Sequence, residues 1–304
     1  MDYTDEVMSL PAQVLSSAPF ELERGYRHIV FSGMGGSGVV GRIASEFLSV
    51  PVVLVDDYSL PEYVGKEDLL ISISYSGNTE ETISVTQMAL ERGMDVVAIT
   101  SGGRLSSMVR KVVKVPGGLQ PRAALGYMLT PVLETFIGRE FRKERVVEAM
   151  RSVEGRQEEI GGLAKEIVSG RLIPVIYGFS PFRAVAYRWK TQFNENAKIM
   201  AYSNYFPELN HNDTVPLKGT YRKEEFKFLV FWPPEDPRIG KRIEVTEQVT
   251  GSRFQRIEAI SVDRVSRLFE LIYYGDLLSL RVAHERKVDP RDVSVIEELK
   301  GRLL

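Results

Sequence analysis

The chain has 304 residues, 43% hydrophobic and 26% charged, which is enough apolar material for two buried cores and too much for a disordered polymer. Its 39 Lys plus Arg against 41 Asp plus Glu leave a formal charge of -2, so there is no global basic field to hold nucleic acid or an anionic membrane. The absence of cysteine excludes disulfides, thiolate nucleophiles and Cys-ligated metals, and three separated histidines (His28, His211, His284) argue against a His-rich metal site. With an acidic Met1 to Glu6 and no apolar run long enough to span a bilayer, the chain reads as a soluble cytoplasmic protein.

His28 to Phe31 is a short apolar run entering a glycine-rich loop, after which Val39, Val40, Ile43, Phe47 and Leu48 recur at helical spacing. Further strands are predicted at Val52 to Val55, Leu69 to Ser74, Val96 to Thr100 and Val112 to Val115. A helix beginning near Thr79 carries Ile83, Val85, Met88 and Leu90 ahead of Gly93. Apolar runs with little polar alternation fit a parallel sheet covered on both faces. From Arg139 to Gly170 Arg, Lys and Glu dominate, and this charged helical stretch reads as a connection between a domain of residues 1–150 and one of residues 151–304.

The pattern then restarts. Leu172 to Tyr177 is a strand ending at Gly178, as Ile29 to Ser32 ends at Gly33, and Glu258 to Ser261 echoes Val97 to Thr100 as a later strand. The halves therefore read as two copies of one α/β unit. A helix with the apolar stripe Phe182, Val185, Ala186, Trp189 and Phe193 is followed by a Pro- and Asn-rich loop, Ser203 to Asp213. Val262 to Glu285 reads as a long helix, and Asp289-Pro290 opens a short one bearing Val293, Ile296, Leu299 and Lys300.

The first loop, Gly33-Met34-Gly35-Gly36-Ser37-Gly38, joins a strand to a helix N-terminus, where close backbone N–H groups and the helix dipole favour an anion. It matches the dinucleotide pattern G-x-G-x-x-G, and Asp56 and Asp57 follow the second strand where a ribose-binding acid belongs, so an NAD-dependent Rossmann-type dehydrogenase is one reading. A purely structural tight turn is another. The third strand runs into Ser74-Tyr75-Ser76-Gly77-Asn78-Thr79 at the next helix start. There the hydroxyls of Ser74, Ser76 and Thr79 add a second phosphate cradle, unless Asn78 or Thr79 merely caps the helix. Together with Ser37 the two loops converge at the C-terminal edge of a parallel sheet, a geometry that suits a phosphate monoester. The corresponding loop of the second half, Gly178 to Phe182, has lost this pattern and reads as structural.

Ser32-Gly-Met-Gly-Gly-Ser-Gly38 with Ser74-Tyr-Ser-Gly-Asn-Thr79 resembles the SIS, or sugar isomerase, domain. Pro121-Arg122-Ala123-Ala124, Phe193-Asn194-Glu195-Asn196-Ala197-Lys198 and Leu209-Asn210-His211-Asn212 are similar to segments of the archaeal bifunctional phosphoglucose/phosphomannose isomerases. The resemblance covers essentially the whole chain. It implies two tandem SIS domains, each a mostly parallel sheet flanked by helices in a flavodoxin-like three-layer sandwich. It also implies interconversion of glucose 6-phosphate or mannose 6-phosphate with fructose 6-phosphate by a homodimer that uses no metal and no other cofactor.

By this resemblance Gly35, Gly36, Ser37, Ser74, Ser76 and Thr79 bind the substrate phosphate and Glu195 is the proton-transfer base. Helical geometry alone points Glu195 away from its apolar stripe, towards a cleft or towards water. His211 is implied as the ring-opening acid/base, contributed to the partner subunit's site, a task suited to an imidazole with a near-neutral pKa. Arg122 is implied as the fixed cation that stabilises the enediolate, and Lys300 as a contact to the ring oxygen or hydroxyls. Without the resemblance Arg122, Lys300 and His211 all read as solvated surface residues. One departure concerns the hydroxyl residue expected near the start of the last helix, which is Val293 here, with Ser294 as the available substitute. A non-catalytic phosphosugar-binding regulator is the remaining alternative. Tyr273, Tyr274 and Trp189 read as core or dimer packing rather than as base-stacking platforms for nucleic acid.

Overall fold

The computed structural model describes residues 2–303, which divide into two compact units with the division between Val147 and Glu148. The first unit begins with two short helices, α1 (Tyr3–Met8) and α2 (Leu10–Ser16). Then strands and helices alternate as β1 (Ile29–Ser32), α3 (Gly35–Ala44), β2 (Val52–Val55), β3 (Leu69–Ile73), α4 (Glu80–Glu91), β4 (Asp95–Thr100), α5 (Gly103–Met108) and β5 (Lys111–Lys114). A single 3₁₀ turn, Pro121–Ala123, leads into α6 (Leu125–Ile137), and the division between the units falls within α7 (Lys143–Glu154).

All pairings of the first sheet are parallel, in the order β2-β1-β3-β4-β5. β1 and β3 carry only buried residues, as expected of central strands covered on both faces. One core packs Val30, Leu70 and Ala98 of the sheet against Ile83, Val85 and Ala89 of α4. The buried stripe of α4 runs through Thr82, Ile83, Val85, Thr86 and Ala89, whereas Leu90 is exposed, one residue off the expected face.

The second unit repeats the plan with α8 (Gln157–Ser169), β6 (Ile173–Phe179), α9 (Arg183–Asn196), β7 (Tyr202–Phe206), α10 (Thr214–Gly219), β8 (Phe226–Trp232), α11 (Pro237–Thr250), β9 (Gln255–Glu258), α12 (Arg264–Glu285) and α13 (Ser294–Leu303). Its strands are again all parallel, in the order β7-β6-β8-β9, the same topology less one edge strand. Both halves thus have the doubly wound order of a flavodoxin-like sandwich.

Several sequence expectations change. The charged stretch between Arg139 and Gly170 is helical and contains the division between the units, and beyond that expectation α7 and α8 bury Val146, Met150, Val153, Ile160, Leu163 and Ile167 in amphipathic stripes. The segment expected to be loop from Ser203 begins as strand β7, a polar edge strand whose pairing to β6 outweighs its composition. Strand β9 ends at Glu258, where the sequence echo suggests a strand begins, since the N–H groups of Ile260 and Ser261 donate instead to the buried carboxylate of Glu270. The last helix starts at Ser294 rather than at Pro290, capped by Asp292, which accepts the Ser294 N–H at 2.9 Å. Trp189, Tyr273 and Tyr274 are core, with Trp189 stacked on Tyr274 at 5.5 Å between ring centroids.

Candidate active site

β1 and β3 are neighbours in register, Ser32 beside Ser72, and each is followed by a helix whose N-terminus has no side-chain cap. The order β2-β1-β3 places the switch point of the first sheet here, where the two loops lie side by side. At the start of α3, Gly35 adopts φ +51, a conformation that costs glycine nothing, with open space where a side chain would be. Gly36 is required for a different reason: a Cβ there would stand 3.0 Å from both the N and the Cα of Arg122.

The hydroxyls expected to form the cradle sit as follows. Ser37 is 5% exposed and its Oγ accepts the Tyr75 N–H at 3.3 Å, which ties the two loops together. Ser74 is buried, with its Oγ 2.8 Å from Thr79 Oγ1 and accepting the Gly77 N–H at 3.1 Å. Ser76 is exposed, and its Oγ accepts the Asn78 N–H at 3.3 Å. Thr79 occupies the N-cap position of α4 without capping it, and Asn78 accepts from Arg104 N, so neither residue closes the helix. The two helix N-termini, with their positive dipole ends, therefore face the same edge, an arrangement suited to an anion.

Arg122 lies in the turn between β5 and α6 and is only 3% exposed, not a solvated helix-start residue. Its guanidinium lies over the Tyr3 ring at 4.8 Å and reaches Gln120 Oε1 at 3.3 Å. Tyr75 anchors the same loop system, donating to the Pro116 carbonyl at 2.7 Å and accepting from Leu119 N at 2.9 Å. Burial holds its phenol above the usual tyrosine value, so it stays neutral.

The remaining candidates belong to the second unit. Glu195 is half-buried in the last turn of α9, where its carbonyl accepts from Lys198 Nζ at 2.7 Å. That helix is fastened to α12 by a polar ladder. Arg188 forms a bidentate pair with Asp276 at 3.0 and 2.7 Å, Gln192 donates to the same carboxylate, and Asn196 donates to Ser279. His211 ends a 3₁₀ turn, Glu208–His211, and is exposed. In a β-α-β crossover the helix runs antiparallel to its strands, so Glu195 lies by the N-terminal edge of β7 while His211 follows its C-terminal edge. Lys300 is exposed on α13, Val293 is half-buried just ahead of that helix, and Ser294 is its exposed first residue. The second-half loop is filled by the buried rings of Phe179 and Phe182, 6.0 Å apart and edge to face.

Asp56, the ribose-binding candidate of the dinucleotide reading, is paired with Arg42 beside the Gly33–Gly38 loop. Among the described residues no group of three or more His, Asp or Glu side chains gathers to hold a metal, and no helix is long and apolar enough to cross a membrane.

A doubly wound parallel sheet with two open helix N-termini at its switch point defines a SIS-type phosphosugar fold, and comparison with known proteins agrees. Residues 24–112 match the SIS domain, and residues 156–303 match the bacterial phospho-glucose isomerase C-terminal SIS domain. The chain is 50% identical over its full length to a bifunctional phosphoglucose/phosphomannose isomerase of Thermoplasma acidophilum, covering 98% of that protein. It is also 50% identical to one of Thermoplasma volcanium, each protein covered completely. The C-terminal domain of glucosamine-fructose-6-phosphate aminotransferase from Francisella tularensis shares the fold with a TM-score of 0.75 at 14% identity, over 95% of this chain and 97% of that one. The chain belongs to the bifunctional phosphoglucose/phosphomannose isomerase family.

Proposed function

We propose that the chain, as a member of this family, interconverts glucose 6-phosphate and mannose 6-phosphate with fructose 6-phosphate, working as a cytoplasmic homodimer. The observation that carries this reading is the full-length 50% identity to relatives of that name. The substrate phosphate sits against the N–H groups of Gly35 and Gly36 and the hydroxyls of Ser37, Ser74, Ser76 and Thr79. His211 of a second copy moves the proton that opens the sugar ring. Glu195 then removes the C2 proton of the open-chain aldose and returns it to C1, while a second proton passes between the two oxygens. The charge of the enediolate between these steps meets the guanidinium of Arg122, which neutralises it without exchanging a proton. Lys300 contacts the sugar hydroxyls.

The burial of Arg122 beside the Gly36 turn supports this assignment, since a fixed cation in a site shielded from water stabilises developing charge far better than a solvated one. Glu195→Gln keeps the size and hydrogen bonding of the side chain and removes its basicity. It should lower kcat on both aldose phosphates about 10³-fold, the usual range for a general base, while substrate binding by calorimetry stays within about threefold. Turnover near the wild-type value, assayed with EDTA present, would falsify the assignment of the base.

A further inference from the structure

Helices α1 and α2 precede the matched SIS segment, which begins at residue 24, and at six and seven residues they are too short to be stable alone. Their buried polar side chains converge on one place, the turn that carries Arg122. Glu6, 1% exposed, accepts the Gln120 N–H on Oε2 at 2.8 Å. Gln13, fully buried, donates to the Ala123 carbonyl at 2.7 Å and accepts the Gly126 N–H at 3.0 Å. Backbone groups at residues 120, 123 and 126 are thereby pinned on both sides of Arg122 by side chains more than a hundred residues away, and Tyr3 lies beneath its guanidinium. The turn also packs closely against Gly36 of α3, where a Cβ would stand 3.0 Å from the Arg122 backbone.

Burial alone needs only apolar residues here. Two polar side chains placed to satisfy this turn instead define a single backbone position. Arginine otherwise has many rotamers to lose, and a ring face beneath it together with Gln120 beside it restricts them. We infer that α1 and α2 are a brace for the reaction, with Tyr3, Glu6 and Gln13 acting as positioning residues that hold Arg122 where the enediolate forms. This inference rests on the role given to Arg122 above.

The test is a double-mutant cycle on the full chain. Gln13→Met and Tyr3→Leu are each made in the wild-type and in the Arg122→Ala background, and kcat and KM for glucose 6-phosphate are measured. Each single change should lower kcat about tenfold with KM within about threefold, because the interaction matters only in the transition state. In the Arg122→Ala background the same changes should cost less than about twofold, since the residue they position is gone. Tyr3→Leu leaves the bonds of Glu6 and Gln13 to the turn in place and so carries the test if Gln13→Met lowers the folded fraction. Losses of equal size with and without Arg122 overturn the brace and leave α1 and α2 as packing only. If Arg122→Ala by itself leaves kcat unchanged, the role of Arg122 fails, and the brace fails with it.

Discussion

At the scale of single residues, the site depends on side chains whose burial contradicts their type. An arginine is seldom buried unless its charge has partners, and Arg122 has a ring face, a side-chain amide and a fixed turn around it. Its sequence neighbourhood, Pro-Arg-Ala-Ala, is equally that of an exposed helix start, so its burial could not be read from local pattern. What was legible is the backbone requirement: Gly35 takes a left-handed φ that other residues rarely adopt, and Gly36 stands where the close approach of Arg122 leaves no room for a Cβ. Gly36→Ala tests how tightly that approach is held. The added Cβ meets the Arg122 backbone at 3.0 Å, and the brace holds the turn against yielding. A displacement of a few tenths of an ångström should lower kcat/KM about tenfold or more, with the loss shared between phosphate binding and enediolate stabilisation. Steady-state kinetics of the folded variant check this, and an unchanged kcat/KM would show that the turn yields.

At the scale of elements, the two edges of the first sheet have separate tasks. The C-terminal edge holds the open loops, whereas the N-terminal edge is stapled by the buried Asp68. That carboxylate accepts the N–H groups of Gly65 and His28 and the guanidinium of Arg27, and lies 2.8 Å from His28 Nδ1. Burial pushes the Asp68 pKa up, but the bonds from Arg27, Gly65 and His28 together outweigh burial and hold it below the ordinary 3.8. A lowered folded-state pKa means that this stabilisation is complete above 3.8 and is lost as the pH falls through the lower folded value. Asp68→Asn should therefore cost on the order of 2 kcal/mol near neutrality, with a gap from wild type that narrows in acid. Thermal melts across that range measure it, and a gap independent of pH would sink the explanation. The contrast in legibility has the same physical root. Strands β1 to β5 are continuous apolar runs, and the sequence locates their ends to within about a residue. Strand β7, Tyr-Ser-Asn-Tyr-Phe, is a half-buried edge that exists because β6 offers it a ladder, and no window of sequence contains that partner. The contacts of Glu6 and Gln13 span more than a hundred residues and are hidden in the same way.

At the scale of the whole molecule, the proposed mechanism draws on a second copy of the chain. In the second unit Glu195 lies in the last turn of α9, ahead of β7, and His211 lies in the turn that follows β7, before the chain folds back to bring Asp213 within 3.0 Å of Asn204. The exposure of His211 is what a residue presented to another copy requires. If each site joins Glu195 of one protomer to His211 of its partner, two inactive variants should restore each other. Glu195→Gln and His211→Ala homodimers are each expected to be inactive. After mixing under conditions that exchange subunits, half of the dimers are hybrids, and each hybrid contains one site with both defects and one with neither. Activity should rise to about a quarter of the wild-type value, the fraction of intact sites at random pairing in a two-fold dimer. Mixed variants that stay as inactive as their parents after verified exchange would place both residues in one protomer's site and overturn the shared-site proposal.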